Sequence, residues 1–366
     1  MMAKFTDIFE DVTKQGTKIP TNLYLKTGIY PIIDQGQSQV AGYTNETEGL
    51  FTDIPAIFFG DHTRIIKYID TPCFLGADGV KLLKAKDPTA NYKYLYYALC
   101  NADIPNTGYN RHFKWLKEIE IAECSIEEQN SIVAQFEKID TLICLRKQQL
   151  SKLDELVKAR FIEMFENGNF PLVKAEDVCE FITKGTTPPT GEIYTEFGDN
   201  RIPYLKVYNL SFDGSLLFDC APQYIDKSVH NGKLSRSKVY PNDVLMNIVG
   251  PPLGKFSLVT SAFAEWNINQ AISIFRAKNN VLPRFLLSAL MQPTVLGPFL
   301  KQAVGVRQLN ISLEQCRNIQ FPLPPIELQA EFVAFAEQTD KSKLTIQKSL
   351  EKIETLKKAL MQKYFG

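Results

Sequence analysis

Apolar positions recur with a helical period along two stretches of the chain. Phe136, Ile143, Leu150, Val157 and Met164 follow one another every seven residues. Ile132, Ile139 and Leu153 fill a second seam, which Arg146 and Arg160 interrupt. In the other stretch Phe332, Ile346, Ile353 and Leu360 keep heptad spacing, with Leu350 beside them and Thr339 polar among them. No Gly or Pro occurs in 126–166 or 326–365. A 3.5-residue period held over about five heptads predicts two long helices packed as a coiled coil. About forty residues at about 1.5 Å each would span roughly 60 Å. The polar faces mix acids and bases, which argues against a membrane-surface helix. Ser125 before Glu127-Glu128 predicts an N-cap with dipole-matched acids. Pro322-Leu323-Pro324-Pro325 leads into the second helix as an extended segment, and Asn167-Gly168-Asn169 ends the first.

Elsewhere strand-like runs alternate with Gly, Pro and Asn. Strands are predicted at Ala56–Phe59, Arg64–Tyr68, Val244–Ile248, Phe256–Val259 and Ile272–Phe275, and short helices at Tyr92–Cys100 and Pro283–Met291. Leu205-Lys206-Val207-Tyr208-Asn209 alternates, which puts Lys206 and Tyr208 on one face of a further strand. The fold class is α+β: two mixed α/β domains, each followed by a long helix. Their internal topology is not legible from the pattern.

The chain also repeats itself. Ile126-Glu127-Glu128-Gln129 matches Ile326-Glu327-Leu328-Gln329 at an offset of 200, and the offset continues through Val133/Val333, Asp140/Asp340, Leu156/Leu356 and Phe165/Phe365. It extends backward through Ile119/Ile319 and Asn110/Asn310. Asp7-Ile8-Phe9-Glu10 echoes Asp177-Val178-Cys179-Glu180, and Thr13-Lys14 echoes Thr183-Lys184, at a shorter offset. Residues 1–122 and 170–321 are therefore two copies of one globular unit, and 123–169 and 322–366 two copies of one spacer helix.

Length and composition then exclude broad classes. The 366 residues, 45% apolar and 22% charged, suit two or three globular domains and no disordered or collagen-like chain. No run approaches the ~18 apolar residues of a membrane span. The N-terminus meets Asp7 before any apolar stretch, unlike a signal peptide. The seven cysteines are scattered and form no Cys-x-x-Cys pair, so they read as reduced core thiols of a cytoplasmic protein. Net charge is zero, but 170–321 carries three more basic than acidic side chains, so a polyanion surface would be local.

An enzyme reading lacks a site. Gly250-Pro-Pro-Leu-Gly254-Lys255-Phe256 is one residue short of a phosphate loop and has Phe where Ser or Thr must reach the metal. No dinucleotide fingerprint or amino-methyltransferase motif occurs. His62, His112 and His230 are far apart and read as surface or loop residues, with no metal implied. What remains is polar loops present in both copies. In the first copy they carry His62, Thr63 and Arg64, then Tyr109 and Arg111. In the second they carry Lys184, Thr186 and Thr187, then Lys206, Tyr208 and Asn209, then Arg307 and Gln308. Arg can take guanine bidentately and Gln or Asn can take adenine, while Lys, Thr and amide donors suit phosphates.

Order and duplication complete the picture. Gly305 through Gln329, with Asn310, Ile319, the proline-rich segment and Glu327-x-Gln329, resembles the junction of a target-recognition domain with its helix in specificity subunits of type I restriction–modification systems. Ile119 through Gln129 resembles the same junction, with Ala122-Glu123-Cys124-Ser125 in place of the prolines, which loosens the expected approach angle. Phe181–Pro189 and Pro241–Val249 resemble the start and middle of the second domain. Tyr30–Ile33, Gly42-Tyr43-Thr44, Phe59–Arg64 and Gly76–Val80 resemble a common variant of the first.

The resemblance implies a non-catalytic reader of double-stranded DNA, each domain recognising half of a bipartite site. The helices would pack antiparallel about a pseudo-twofold axis through Ile132, Phe136, Ile139, Ile143, Leu150, Leu153, Val157, Phe332, Ile346, Leu350, Ile353 and Leu360. They would also dock two methyltransferase subunits, which carry S-adenosylmethionine; this chain would bind no cofactor. Endonuclease/translocase subunits would join. Lys14, Lys18, Tyr43 and Lys255 extend the expected DNA contacts. The alternatives are the specificity partner of a fused restriction–methylation enzyme and a coiled-coil scaffold that binds no DNA.

Overall fold

A computed structural model of the chain describes residues 2–76, 78–189, 191–304 and 309–366. It divides into two compact units, Met1–Lys147 with Lys348–Gly366, and Gln148–Gln347.

In the first unit the strand Ala56–Gly60 is buried at every position. Such a run needs cover on both faces. Ile57 and Phe59 face a core with Phe5, Phe9, Leu83 and the helix Tyr92–Cys100; Ala56 and Phe58 face another with Val12, Ile69 and Leu82. The strand sits inside a four-stranded antiparallel sheet, in order Phe9–Asp11, Val80–Ala85, Ala56–Gly60, Ile66–Ile69. A second sheet orders Gly42–Thr44, Tyr30–Ile33 and Phe74–Leu75, the last two parallel. Met2–Lys4 pairs with Glu120–Ala122 and so closes the domain where its long helix begins.

The second unit repeats this plan. Its four-stranded sheet orders Cys179–Lys184, Ile272–Ala277, Val244–Asn247 and Phe256–Leu258. Its second sheet contains Arg201–Leu205 parallel to Trp266–Ile268. Leu172–Lys174 pairs with Gln320–Pro322 before the other long helix. Matching bonds recur: Phe5 N donates to Ile119 O at 3.0 Å, and Ala175 N to Ile319 O at 2.8 Å.

The long helices are Ile126–Phe161, prolonged by a wide turn at Ile162–Glu166, and Ile326–Phe365. Phe161 at the helix end and Phe165 in the wide turn lie fully inside the second core, where Phe161 stacks on Phe285 and meets Phe332 edge-on, and Phe165 meets Phe285 edge-on. Ser125 Oγ accepts from Glu128 N at 3.2 Å, as a cap should. Phe136 stacks on Tyr97 at 4.8 Å and meets Phe365 at 5.9 Å, so this heptad position serves its own domain as well as the helix seam. Ile132 and Ile139 are buried in the same unit, and Ile143, Leu350, Ile353 and Leu360 half-buried. In the second unit Phe332 is fully buried, while Leu150, Leu153, Val157 and Ile346 are half-buried.

Within each unit the two helical segments run antiparallel. In the first, Gln135 meets Tyr364, Asp140 meets Lys357 and Lys147 meets Glu354. In the second, Asp154 meets Lys343 at 2.6 Å and Arg160 meets Glu331 at 3.2 Å.

Several expectations change. The segment Leu205–Asn209 leaves its strand at Leu205 and turns through Val207–Asn209, because Lys206 N donates to Asn209 Oδ1 at 2.9 Å. The predicted strand at Arg64 starts instead at Ile66, since Arg64 takes a left-handed turn with φ 62°. His112 and His230 are fully buried rather than on the surface. Only Cys73, Cys179 and Cys316 are core thiols; Cys100, Cys144 and Cys220 are exposed. The helix approach without prolines is not loose: Gln129 Nε2 donates to Cys124 O at 3.1 Å, just as Gln329 Nε2 donates to Pro324 O at 2.9 Å.

Gln329 is fully buried and also bridges Leu282 N and Asn280 O. Removing its amide leaves buried groups unpaired, at about 1–3 kcal/mol each. We expect Gln329→Leu to destabilise the second unit by about 2–3 kcal/mol, and Gln129→Leu, half-exposed with one bond, to cost about 1 kcal/mol. Denaturant unfolding of the two variants checks this; equal losses would disprove it.

Burial holds the His230 ring below its ordinary pKa, helped by Lys238 and opposed by Glu265 at 3.3 Å. The folded state therefore keeps it neutral. Stability from that neutral ring is present above the unfolded value of about 6.5 and drains away as pH falls below it. Thermal melts of wild type and His230→Gln should converge on acidification; parallel curves would exclude His230 as the cause.

Candidate nucleic-acid interface

In the first domain the parallel strands Tyr30–Ile33 and Phe74–Leu75 deliver their chains to the same end of the sheet. Four loops are laced together there. Gly76 N donates to Ile33 O at 2.7 Å, Asp61 N to Gly79 O at 2.8 Å, and His112 N to Asp61 O at 2.8 Å. The buried Asp61 carboxylate accepts from Phe113 N at 2.7 Å, and the His112 ring faces Asp61 O at 2.9 Å. Gly79, at φ 80°, lies so close to His62 and Gln35 that a Cβ would collide with both.

The expected contacts fall unevenly on this end. His62 stacks on Tyr109 at 4.6 Å with ring planes 8° apart, and Tyr109 is 86% exposed. Arg111 is exposed and makes no ion pair among the described residues. Thr63 is exposed, its hydroxyl accepting weakly from Ile65 N. Lys18 lies beside the loops, 3.6 Å from Asp78. Lys14 is exposed on the turn Thr13–Gln15, and Tyr43 sits half-buried on the edge strand. Arg64 is half-buried, and one nitrogen of its guanidinium donates to Ile104 O at 2.9 Å.

The second domain builds the equivalent end from Arg201–Leu205 and Trp266–Ile268. Asn269 N donates to Leu205 O at 3.0 Å, Ile248 N to Ala271 O at 2.8 Å, and Ile311 N to Ile248 O at 2.9 Å. Thr186 N donates to Ile268 O at 3.2 Å. Gly185 packs against Asn269 O and Ile268 O where any side chain would overlap backbone. Lys184 and Thr187 are exposed here, and Thr186 is half-buried. Tyr208 is 42% exposed and Lys206 half-buried. Lys255 lies over the Phe212 ring at 5.7 Å, in a loop between two strands rather than before a helix, which removes the phosphate-loop likeness. Asn209 is fully buried, bonding Lys206 N and Leu217 O. It shapes its loop and has no face for a ligand. Arg307 and Gln308 lie outside the described residues.

A family model described as type I restriction modification DNA specificity domain matches residues 1–155 and again 167–357. The chain belongs to this family. The specificity subunit of the Escherichia coli type I restriction enzyme EcoR124I/EcoR124II is 23% identical, over 87% of this chain and 81% of its own. The S subunit of a type I restriction-modification system from M. genitalium has the same fold, with a TM-score of 0.54 at 16% identity, covering 100% of this chain and 96% of that one. A solved chain from work on complex assembly and conformational transition of the type I R-M system superimposes at 0.56 with 17% identity, covering 100% and 97%.

Within this specificity-family fold, sequence reasoning missed one loop. Asp34-Gln35-Gly36-Gln37-Ser38-Gln39 leaves the parallel strand and joins the same end, and Gln35 bonds both Asp78 O and His62 N at 3.3 Å. Its signal was present: three glutamines between Ile33 and Val40 form a polar gap in an apolar stretch.

Exposed and buried candidates should part company in mutants. We expect Arg111→Ala to reduce the salt slope of duplex binding by about one with unchanged thermal stability. Asn209→Ala should instead lower the melting temperature, at a cost of about 1–3 kcal/mol. A stable Asn209 variant with weakened binding would reverse the assignment.

Proposed function

We propose that this chain is the sequence-specific DNA-recognition subunit of a type I restriction–modification enzyme, without catalytic activity of its own. The observation that carries the reading is the duplicated loop end. Two domains of one topology each gather aromatic, basic and amide-bearing loops at the end of a parallel strand pair. Such loops combine phosphate positioning with base readout. Residues 1–122 and 170–321 would each read half of a bipartite double-stranded site.

The long helices would form an antiparallel coiled coil that relates the domains by a pseudo-twofold axis. The antiparallel ion pairs inside each unit support this. Leu142, Leu145, Leu156, Leu344 and Leu356 remain about half exposed along these helices, which suits docking of two methyltransferase subunits. Those subunits would bind S-adenosylmethionine, and endonuclease/translocase subunits would complete the enzyme. Among the described residues no helix is long and apolar enough to cross a membrane. The relatives are type I specificity subunits, so the fused-enzyme partner gains no support from them.

Mapping methylated bases genome-wide with and without the gene tests the function directly. Exchanging residues 1–122 for those of another family member should then change one half-site and leave the other intact. A simultaneous change in both would mean that the domains do not read independently.

A further inference from the structure

The strand Ile66–Ile69 turns a lysine inward. Lys67 is 3% exposed, and its stem and ammonium lie among Phe58 and the backbone of the missed loop. Nζ donates to Asp34 O at 2.6 Å and to Ser38 O, lies 3.9 Å from Asp34 Oδ1, and sits 5.5 Å over the Phe58 ring. Burial lowers its pKa, so the charge costs free energy where it is. An apolar side chain there would take the donor away from Asp34 O and Ser38 O and leave both carbonyls without a partner in this inward position. The lysine therefore holds the loop in its inward shape.

That shape is specific. The ammonium pulls two carbonyls inward, one from each foot of the loop, and Asp34 Oδ1 accepts from Gly36 N at 2.8 Å to tighten the first foot. Gln35 is tied to the neighbouring loops, and Gln39 Nε2 donates to Tyr68 O at 2.7 Å. Both outer glutamines thus serve as struts. The middle one, Gln37, is exposed at the top of the arch, and its amide makes no hydrogen bond among the described residues. The arch is joined through Gln35 to His62, whose ring stacks on Tyr109.

We propose that the arch Asp34–Gln39 is a sequence-reading element of the first domain, with Gln37 presenting its amide to a base edge and Lys67 as the positioning residue that sets the arch. A glutamine amide fits the N6/N7 edge of adenine in the major groove. The proposal rests on the DNA-reading function above.

The test uses the full chain assembled with its methyltransferase subunits and a pool of duplexes of randomised sequence. Enriched sequences from wild type should show two separated sub-sites. Gln37→Ala should lose roughly tenfold or more in preference at one position of one sub-site, with the other sub-site unchanged. Lys67→Met, which keeps the buried stem but removes the donor of both carbonyl bonds, should lower the melting temperature and flatten that sub-site more broadly, with the other sub-site unchanged. Gln37→Asn, keeping a shorter amide, should restore part of the preference. A Gln37→Ala profile identical to wild type overturns the arch as reader, and since the residue is exposed this variant will fold. A Lys67→Met profile identical to wild type, whatever its stability, overturns the positioning role. If wild type itself enriches no sequence, the DNA-reading function fails as well, an outcome distinct from a normal wild-type profile with silent variants.

Discussion

One glutamine amide at the start of each long helix governs how that helix is joined to its own domain. A helix begins with unpaired amides, and the segment before it carries carbonyls that the turn cannot satisfy. Gln329 meets this by reaching back to Pro324 O while holding Leu282 N and Asn280 O, so helix start, strand end and domain helix become one buried cluster. Gln129 does the same for Cys124 O, with Tyr94 Oη donating to Ala122 O at 2.7 Å beside it. The short strand pairs Met2–Lys4/Glu120–Ala122 and Leu172–Lys174/Gln320–Pro322 bring each domain's beginning and end to that point. A domain closed in this way is a cassette: its helix leaves in a direction set by the junction, whatever its loops contain.

Polar residues inside the helix seams add register. Lys343 occupies a buried position and pairs with Asp154, with Asp213 3.9 Å away. Asp140 takes both Lys357 and the Tyr97 hydroxyl, the latter at 2.9 Å, while its repeat partner Asp340 takes Arg284 at 3.0 Å. Partly buried pairs of this kind contribute little net stability, because desolvation offsets attraction. They penalise any slip that would leave a charge unpaired. The same carboxylate in both repeats therefore ties each helix to its own domain, and the lysines choose the neighbouring helix segment.

At the loop end of each domain the parallel strand pair is the organising device. Two strands that leave a sheet in the same direction must place their loops side by side, and backbone bonds between those loops leave the side chains free to vary. The buried polar groups Asp61, His112 and Asn209 belong to that lacing. Tyr109, Arg111, Gln37, Thr187 and Tyr208 project beyond it. A frame of backbone bonds with replaceable side chains is a physical basis for changing what a domain reads without refolding it.

Periodicity alone located both long helices, since a heptad pattern is local and forty residues carry it redundantly. The duplication was equally plain, and Gln129 and Gln329 stood among its matched positions. Strands such as Ala56–Gly60 and helices such as Tyr92–Cys100 were legible because continuous burial and helical spacing are written in consecutive residues. Which side chains face a ligand was not. Asn209 has the chemistry of a DNA contact, yet its buried loop commits its amide to a backbone N–H and a backbone carbonyl. Lys67 sits in an ordinary strand pattern, and only the pairing of strands shows that it lies under the arch it holds. Helix period and repeat are properties of neighbours in sequence; the direction a polar side chain takes depends on groups tens of residues away, which only the folded chain brings within hydrogen-bond reach.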